Sequence, residues 1–173
     1  MILSYHFIRK RIAQLLKRPI SRERQFLSLE QADSILLIFK QENQEEAEAC
    51  IAQLEAKGKK VKQFIYADAP MEKSDDPDRI GCSKKDLDIW AFPRKEIEQA
   101  FLSLKADILI DLIEDKDCFP IYYLELQHTA RMKIGPKREN GDFYDFSLSV
   151  NQQKGIRYIF DQILFYLQTF RTK

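Results

Sequence analysis

Glycine and cysteine are both scarce in this chain of 173 residues, and each shortage narrows the chemistry available to it. Its five glycines form no G-x-G-x-x-G and no G-K-[ST] turn. Without such a turn the backbone cannot approach the phosphates of a nucleotide closely, and we expect no cofactor. Its three cysteines, at positions 50, 82 and 118, form no C-x-x-C pair and no even-numbered set. This usage indicates a reducing compartment, and we expect the protein in the cytoplasm.

Histidines and long apolar runs are also lacking. Nucleophilic catalysis needs a base beside a Ser or Cys, and the chain offers only His6 and His128, with no G-x-S-x-G elbow. His128 is near the end of a predicted helix, where a capping cation or a core-edge residue is more common than a general base. No apolar run approaches the roughly eighteen residues of a membrane span. We therefore name no catalytic residue, no metal ligand and no transmembrane segment.

Charge is nearly balanced overall but unevenly distributed along the chain. The formal net charge is +1, which disfavours nucleic acid as a partner. Residues 1–24 nevertheless hold seven Lys or Arg against one Glu. Within them, residues 5–18 predict an amphipathic helix with a basic outer side and the apolar stripe Tyr5, Ile8, Ile12, Leu15 and Leu16. Packing of this stripe on the protein is preferred over binding to an anionic membrane.

The rest of the chain alternates short apolar segments with amphipathic helices. We predict strands at residues 34–40, 60–67, 87–92, 108–113, 131–134 and 143–150, and a long loop at residues 68–83. Helices are predicted at residues 44–57, after Pro93, after Pro120, and over the final apolar stretch at residues 156–170. Such alternation implies an α/β fold, a three-layer α/β/α sandwich with a mainly parallel, Rossmann-like sheet of about five or six strands.

Length and composition favour one domain over residues 1–173. With 45% hydrophobic residues, the chain is ample for one core and short for two. The basic helix lies within residues 1–20 and the Rossmann-like body occupies residues 33–173. Tyr158 and Phe165 form a second apolar flank on the last helix, and we expect the N-terminal stripe to cover it. The alternative is a homodimer or a protein partner that binds through the N- and C-terminal helices.

Acidic residues after the predicted strands form a candidate ligand site, the acidic rim. Ligands of open α/β sheets bind beyond the carboxyl ends of the strands, where this chain has Lys40, Asp68, Asp111, Glu114, Asp115 and Asp117. A Mg²⁺ ion would suit such a rim, although loops after strands are routinely acidic and Asp117 is placed to cap the next helix. Asp111 interrupts an apolar strand, so if buried it must find hydrogen bonds and would anchor a neighbouring loop.

A second candidate is a basic strand and turn formed by Arg131, Lys133, Lys137 and Arg138. These residues could bind an anion. Charged side chains also blunt an exposed sheet edge, and that use is the more common.

Several stretches resemble an uncharacterised bacterial family of small Rossmann-like proteins, a domain of unknown function. The matching stretches are SILLIF, GKKVKQFIYAD, SKKDLDIW, ADILIDLIEDKDCFPIYYL with ARMKIG, and YDFSLSV with IRYIFDQILFYLQ. The resemblance implies a fold and a single-domain size, because that family has no established activity. Its members usually show a glycine just before the proline near position 93, where this chain has Ala91-Phe92-Pro93.

A weaker likeness is to heptosyltransferase-type sugar transferases. ADILIDL, a helix and then A-x-x-K-I-G resemble part of the N-terminal half of these enzymes, which have two Rossmann-like halves. Their donor site lies mostly in the other half. The likeness therefore implies structural kinship without the reaction.

Two functional hypotheses follow. The preferred one is a non-enzymatic binding or interaction module that uses the basic N-terminal helix, because no catalytic spacing is recognisable. The alternative is a small-ligand-binding protein or an enzyme that uses the acidic rim. A concave pocket over Lys40, Asp68 and Asp111 would favour the alternative, and loops filling that space would favour the first.

Overall fold

The computed structural model describes residues 5–138, 143–149 and 154–170. The strands are β1 (Ser34–Lys40), β2 (Lys60–Ala67), β3 (Arg79–Ser83), β4 (Ile108–Asp111), β5 (Met132–Pro136) and β6 (Phe146–Leu148). The α-helices are α1 (Tyr5–Lys17), α2 (Gln44–Ala56), α3 (Lys95–Ser103), α4 (Phe119–Gln127) and α5 (Gly155–Thr169). In this part of the chain no helix is both long enough and apolar enough to cross a bilayer.

All six strands form one parallel sheet in the order β3-β2-β1-β4-β5-β6. This is the strand order of doubly wound dinucleotide-binding sheets, and the predicted α/β class is confirmed. The chain leaves β1 toward one edge of the sheet and leaves β4 toward the other edge. The point where the order reverses therefore lies between β1 and β4.

The sheet separates two apolar cores. Alternate residues of β1 point to opposite faces: Ile35, Leu37 and Phe39 join α2 and α5 in one cluster, and Leu36 and Ile38 join α1, α3 and α4 in the other. We call these the α5-side core and the α4-side core. All five of these β1 residues are fully buried, as expected of a strand covered on both faces.

The third strand corrects the sequence prediction. Residues 87–92 were predicted as a strand, but they form a turn after the 3-10 segment Lys84–Asp86, with one isolated bridge from Leu87 to Pro93. The strand is Arg79–Ser83, inside the predicted loop. It is a short edge strand with a glycine and three half-buried residues, so its periodicity is weak. Apolar residues of the turn, such as Leu87 and Phe92, pack instead against the α4-side core.

The strands beside the other edge also differ from prediction. β5 does not stop at Ile134 but continues through Gly135 and Pro136, because β6 pairs with both residues. β6 is shorter than the predicted strand at residues 143–150, whose last residue lies outside the described part of the chain.

The N-terminal helix packs on α4. Ile8 and Leu15 are buried, and the Tyr5 ring lies 5.3 Å from the ring of Phe119 between centroids. The expectation that this helix covers the second flank of α5 is wrong, because α5 lies on the opposite face of the sheet. Tyr158 remains 37% exposed and Phe165 60% exposed.

Candidate functional site

A polar crevice lies beyond the carboxyl ends of β1 and β4, at the point where the strand order reverses. The loops after the two strands diverge there, which is how doubly wound sheets make ligand sites. The crevice has a volume of about 600 Å³ and is lined by Lys40, Glu42, Asn43, Glu114, Asp115 and Lys116. Of the predicted acidic rim, it therefore brings together Lys40, Glu114 and Asp115.

The charges in this crevice largely satisfy one another. Lys40 Nζ lies 3.1 Å from Asp115 Oδ2. Burial alone would raise the pKa of Asp115, but hydrogen bonds from the Asp117 backbone N–H and from Lys40 lower it. Burial raises the pKa of Glu114, and the neighbouring carboxylate of Glu46 adds to the effect. Among residues 5–138, 143–149 and 154–170, no group of three or more His, Cys, Asp or Glu is placed to hold a metal ion.

The other predicted rim residues lie elsewhere. Asp68 pairs with Lys84 at 3.2 Å, and both side chains are exposed to solvent. Asp117 precedes α4, but Cys118 is the N-cap residue and no side chain caps this helix, so the capping prediction is wrong. Asp111 is fully buried rather than on the rim.

Asp111 is the centre of a buried hydrogen-bond network. Its Oδ1 accepts a hydrogen bond of 2.7 Å from the backbone N–H of Ile113, so Asp111 anchors the loop after β4, as predicted for a buried residue. Its Oδ2 lies 2.7 Å from the hydroxyl of Tyr144 and 3.1 Å from Nη2 of Arg138. Arg138 also donates to the carbonyl of Ile113 at 2.8 Å, and its guanidinium lies 4.3 Å from the ring centroid of Tyr122. The Arg138 guanidinium therefore already has protein partners.

Glu125 extends this network from the middle of α4. Burial, followed by the charge of Asp111, raises the pKa of Glu125 well above its ordinary value and so favours its neutral form. Its Oε2 lies 2.9 Å from the Tyr144 hydroxyl. A phenol has one hydrogen, so Tyr144 can donate to only one of these two carboxyl groups at a time, and the shorter contact is the one to Asp111.

Lys133 is a buried cation next to this network. It lies on β5 beneath α4 with 3% exposure, and its ammonium donates to the backbone carbonyl of Glu125 at 2.6 Å. Within the described residues this carbonyl is its one hydrogen-bond acceptor, although an ammonium has three donors. Burial, followed by the charge of Arg22, lowers the pKa of Lys133 to about 7.

Lys133 faces a second concavity, which we call the cationic cleft. Its volume is about 300 Å³, and its polar lining consists of Arg22, Arg24, Lys133, Ser21 and Tyr144, none of them acidic, within the part of the chain that the structure describes. Its walls are apolar and come from the N-terminal segment, from α4 and from the residues before β6: Leu15, Leu16, Pro19, Ile20, Leu126 and Phe143. The cleft thus combines positive charge at its base with a hydrophobic surround.

The two arginines of the cleft are held by one carboxylate behind it. The side chain of Asp145 is 4% exposed and accepts two hydrogen bonds from Arg22, at 2.9 and 2.8 Å, and one from Nε of Arg24 at 2.8 Å. Asp145 also accepts from the backbone N–H of Lys133 at 2.8 Å. One carboxylate therefore pairs with two guanidinium groups, and among the described residues the lining of the cleft keeps a positive excess.

The predicted basic set is thus divided. Lys133 lines the cleft, Arg131 pairs with Asp107 at 2.6 Å, Arg138 is buried against Asp111, and Lys137 is exposed. The edge-blunting interpretation is wrong, because β5 pairs with β4 on one side and with β6 on the other.

Burial shifts the pKa values of Cys50, Cys82 and His128 away from the values that suit catalysis. Burial raises the pKa of Cys50 to about 11 and that of Cys82 to about 12, which suppresses the reactive thiolate. Burial lowers the pKa of His128 to about 4, so the predicted capping cation is neutral. Its ring instead accepts from the Ala130 N–H and donates to the Leu104 carbonyl.

The sequence patterns did not indicate most of the residues that line the cationic cleft. Arg22 and Arg24 reach Asp145 across more than a hundred positions, and no local pattern indicates such a pair. Glu125 did leave a signal, because it is the only charged residue in the otherwise apolar FPIYYLELQ helix. A lone acid on a helix that is apolar all round must be buried and must find a partner.

Comparisons with known proteins agree with this lack of a familiar site. Residues 5–170 match a family described as a family of unknown function (DUF6913). No curated protein and no solved structure matches the chain. The expected membership in a family of unknown function is confirmed, and the likeness to sugar transferases finds no counterpart. Because the match extends over nearly all of its length, the chain belongs to this family of unknown function.

Proposed function

We propose that this protein is a non-enzymatic binding module of the cytoplasm and that its cationic cleft takes a small amphipathic anion, a carboxylate or phosphate with a short apolar group. The cytoplasmic part of the proposal rests on three buried cysteines that form no disulfide. The binding part rests on one observation. Lys133 is a buried ammonium with a single acceptor among the described residues, and it lines a cleft with apolar walls.

The energetics of Lys133 support an anionic ligand. An ammonium that is desolvated and only partly hydrogen-bonded destabilises the folded chain. An anion in the cleft would supply both missing acceptors and an opposite charge in a region of low dielectric constant. Arg22 and Arg24 add positive potential without closing the cleft, since Asp145 holds them at its side.

The shape of the cleft supports a ligand with an apolar part. A volume of about 300 Å³ lies at the lower end of small-molecule pockets. Leu15 and Leu16 come from α1, so the N-terminal helix contributes a wall of the cleft rather than a free arm. Phe143 forms part of the wall near Tyr144, where an alkyl or aryl group would lose its contact with water.

Titration calorimetry with the full chain tests the proposal. The probes are octanoate and octyl phosphate, with octanol as the neutral control, and the variants are Lys133→Met and Lys137→Met. Lys137 is an exposed lysine four residues away and serves as the matched control. We expect both anions to bind, octanol to bind at least about tenfold more weakly, and Lys133→Met alone to lose anion binding.

The pH dependence gives a second readout. The anion binds the charged form of Lys133, whose pKa is about 7 without ligand. Octanoate affinity should therefore be highest near pH 6, fall by up to about tenfold per unit above pH 7, and fall again below about pH 5, where the octanoate carboxylate itself takes up a proton. Equal binding of octanol and octanoate, or equal binding by the Lys133→Met variant, contradicts the proposal.

The acidic rim is the second candidate. Its crevice lies where the strand order reverses, and Oε1 of Glu114 is buried with no hydrogen-bond partner in the described part of the chain. A small-ligand or enzymatic use of this crevice, with or without Mg²⁺, would depend on Lys40 and Asp115 rather than on Lys133. The same calorimetry distinguishes the two sites, because anion binding lost in Lys40→Met and kept in Lys133→Met would place the ligand in the rim.

A further inference from the structure

Three large apolar side chains form an exposed patch at the amino end of α1. Phe7 is 48% exposed, Trp90 is 42% exposed and Ile89 is 80% exposed. The rings of Phe7 and Trp90 are in contact, with centroids 4.7 Å apart. Single exposed apolar residues are ordinary, but an adjacent group of three such residues marks an interaction surface. We call Phe7, Ile89 and Trp90 the aromatic patch.

The turn that presents Ile89 and Trp90 is fixed by its own hydrogen bonds. Oδ1 of Asp88 accepts from the backbone N–H of Trp90 at 2.8 Å and from that of Phe92 at 3.0 Å. Ala91, with a φ of 67°, turns the chain back while its side chain stays buried. Ile89 and Trp90 are therefore held outward by a well-bonded turn, and their exposure is part of the folded structure.

The outer face of α1 continues the patch with positive charge. Lys10, Arg11, Lys17 and Arg18 are exposed and lie three, four, ten and eleven residues after Phe7, which places them on the same side of the helix. The helix contains no acidic residue. Near Ile89, residues 84–96 hold four Lys or Arg and three Asp or Glu, so this segment does not offset the charge of α1.

We propose that the aromatic patch and the basic outer face of α1 together dock this protein on an anionic lipid bilayer. Tryptophan favours the boundary between headgroups and acyl chains, and an exposed isoleucine gains by entering the apolar region. Lys and Arg within a Debye length of the surface are attracted by acidic headgroups. Charge complementarity therefore supports a membrane as the occupant of this surface.

Other macromolecules fit these residues less well. Protein interfaces are depleted in lysine at their cores, whereas here lysine and arginine follow the apolar residues directly. Nucleic acid would attract the basic face, but it offers nothing apolar to Ile89, the most exposed large hydrophobic residue of the described chain. The membrane proposal also differs from an in-plane amphipathic helix, because the apolar stripe of α1 is buried on α4.

The experiment uses the only tryptophan of the chain as an internal probe. The full-length protein is mixed with phosphatidylcholine vesicles, or with vesicles that also contain phosphatidylglycerol, and Trp90 fluorescence and sedimentation are recorded. We expect a blue shift and co-sedimentation with the anionic vesicles only, reversed by high salt. Acyl-chain spin labels should quench Trp90 in the bound state, a result that requires no variant.

Matched variants distinguish the contribution of the aromatic patch to vesicle binding from the contribution of the basic face of α1. Ile89→Ser and Lys10→Glu/Arg11→Glu should each weaken vesicle binding at least tenfold. The controls are Phe165→Ser, which removes an exposed aromatic residue on the opposite face, and Lys57→Glu/Lys60→Glu, which reverses two exposed charges away from α1. Both controls should bind as the wild type does.

Three results would overturn the proposal. One is an unshifted, unquenched Trp90 on anionic vesicles, and another is equal loss of binding in the control variants. The third is salt-sensitive binding to duplex DNA or RNA of similar strength that the Ile89→Ser variant retains. Circular dichroism of each variant verifies that it is folded, and the quenching of wild-type Trp90 decides the question if a variant fails to fold.

Discussion

At the scale of single residues, Lys133 on β5 and Glu125 on α4 are two buried ionisable groups, and burial favours the neutral form of each. The pKa of Lys133 is lowered to about 7 and that of Glu125 is raised well above its ordinary value. The Tyr144 hydroxyl is a partner for Oε2 of Glu125, while Oε1 has no hydrogen-bond partner among the described residues. Groups shifted in this way reduce the stability of the folded chain, and such shifts are more frequent at binding sites than elsewhere.

The loss of folding stability caused by burying the charge of Lys133 can be measured directly. In the unfolded chain this lysine binds its proton up to about pH 10.5, but in the folded chain only up to about pH 7. Between these values the unfolded state holds more protons, so the contribution of Lys133 to stability rises with pH, and below about pH 7 its full penalty applies. Lys133→Met should therefore stabilise the protein by about 1 to 3 kcal/mol at pH 6, with a smaller gain at pH 9.

Two features make this prediction sharp. The Glu125 carbonyl keeps the backbone N–H of His128 as a donor at 3.2 Å, so the substitution leaves no buried acceptor unpaired. Lys137→Met, at an exposed position, should not change the free energy of unfolding. Urea denaturation of both variants at the two pH values is the measurement, and a less stable Lys133→Met protein at pH 6 would show that the ammonium is well paired.

At the scale of elements, the strongly periodic segments were predictable and the short or bent ones were not. The limits of β1, β2 and α2 follow directly from apolar runs and from Gly58, whose φ of 80° suits the residue after a helix. β3 and β6 were missed or misplaced because strands of five and three residues on half-buried edges have too little periodicity. The cleft was unpredictable because Lys133, Arg22 and Tyr144 meet only after the sheet is assembled.

The helix α1 offers a test with adjacent residues. Ile8 is fully buried against the α4-side core, whereas Phe7 beside it is 48% exposed. Ile8→Ala should destabilise the protein by about 2 to 4 kcal/mol, because it leaves a cavity between α1 and α4. Phe7→Ala should cost less than about 1 kcal/mol. Equal, small effects of the two substitutions in chemical denaturation would mean that α1 is detached from the protein in solution.

At the scale of the whole molecule, the parallel sheet joins two cores that have separate helices. The α5-side core contains α2 and α5, and the α4-side core contains α1, α3 and α4. The connector after α1 links them, since Gln25 donates to the carbonyl of Arg131 near α4 and Leu29 donates to that of Leu167 in α5. We expect the two cores to unfold together, because every central strand contributes side chains to both.

The central strand β4 allows this expectation to be tested with neighbouring residues. Ile110 belongs to the α5-side core and Leu109 to the α4-side core, and both are fully buried. Ile110→Ala and Leu109→Ala should each destabilise by about 2 to 5 kcal/mol. If the chain is one domain, each substitution lowers the midpoint of a single transition that circular dichroism and Trp90 fluorescence report identically.

Trp90 lies on the α4 side of the sheet, in contact with Phe7 of α1. A Leu109→Ala protein in which the Trp90 signal is lost well before the helical signal would therefore show that the two sides unfold separately. In that case the prediction of one domain over residues 1–173 would be wrong.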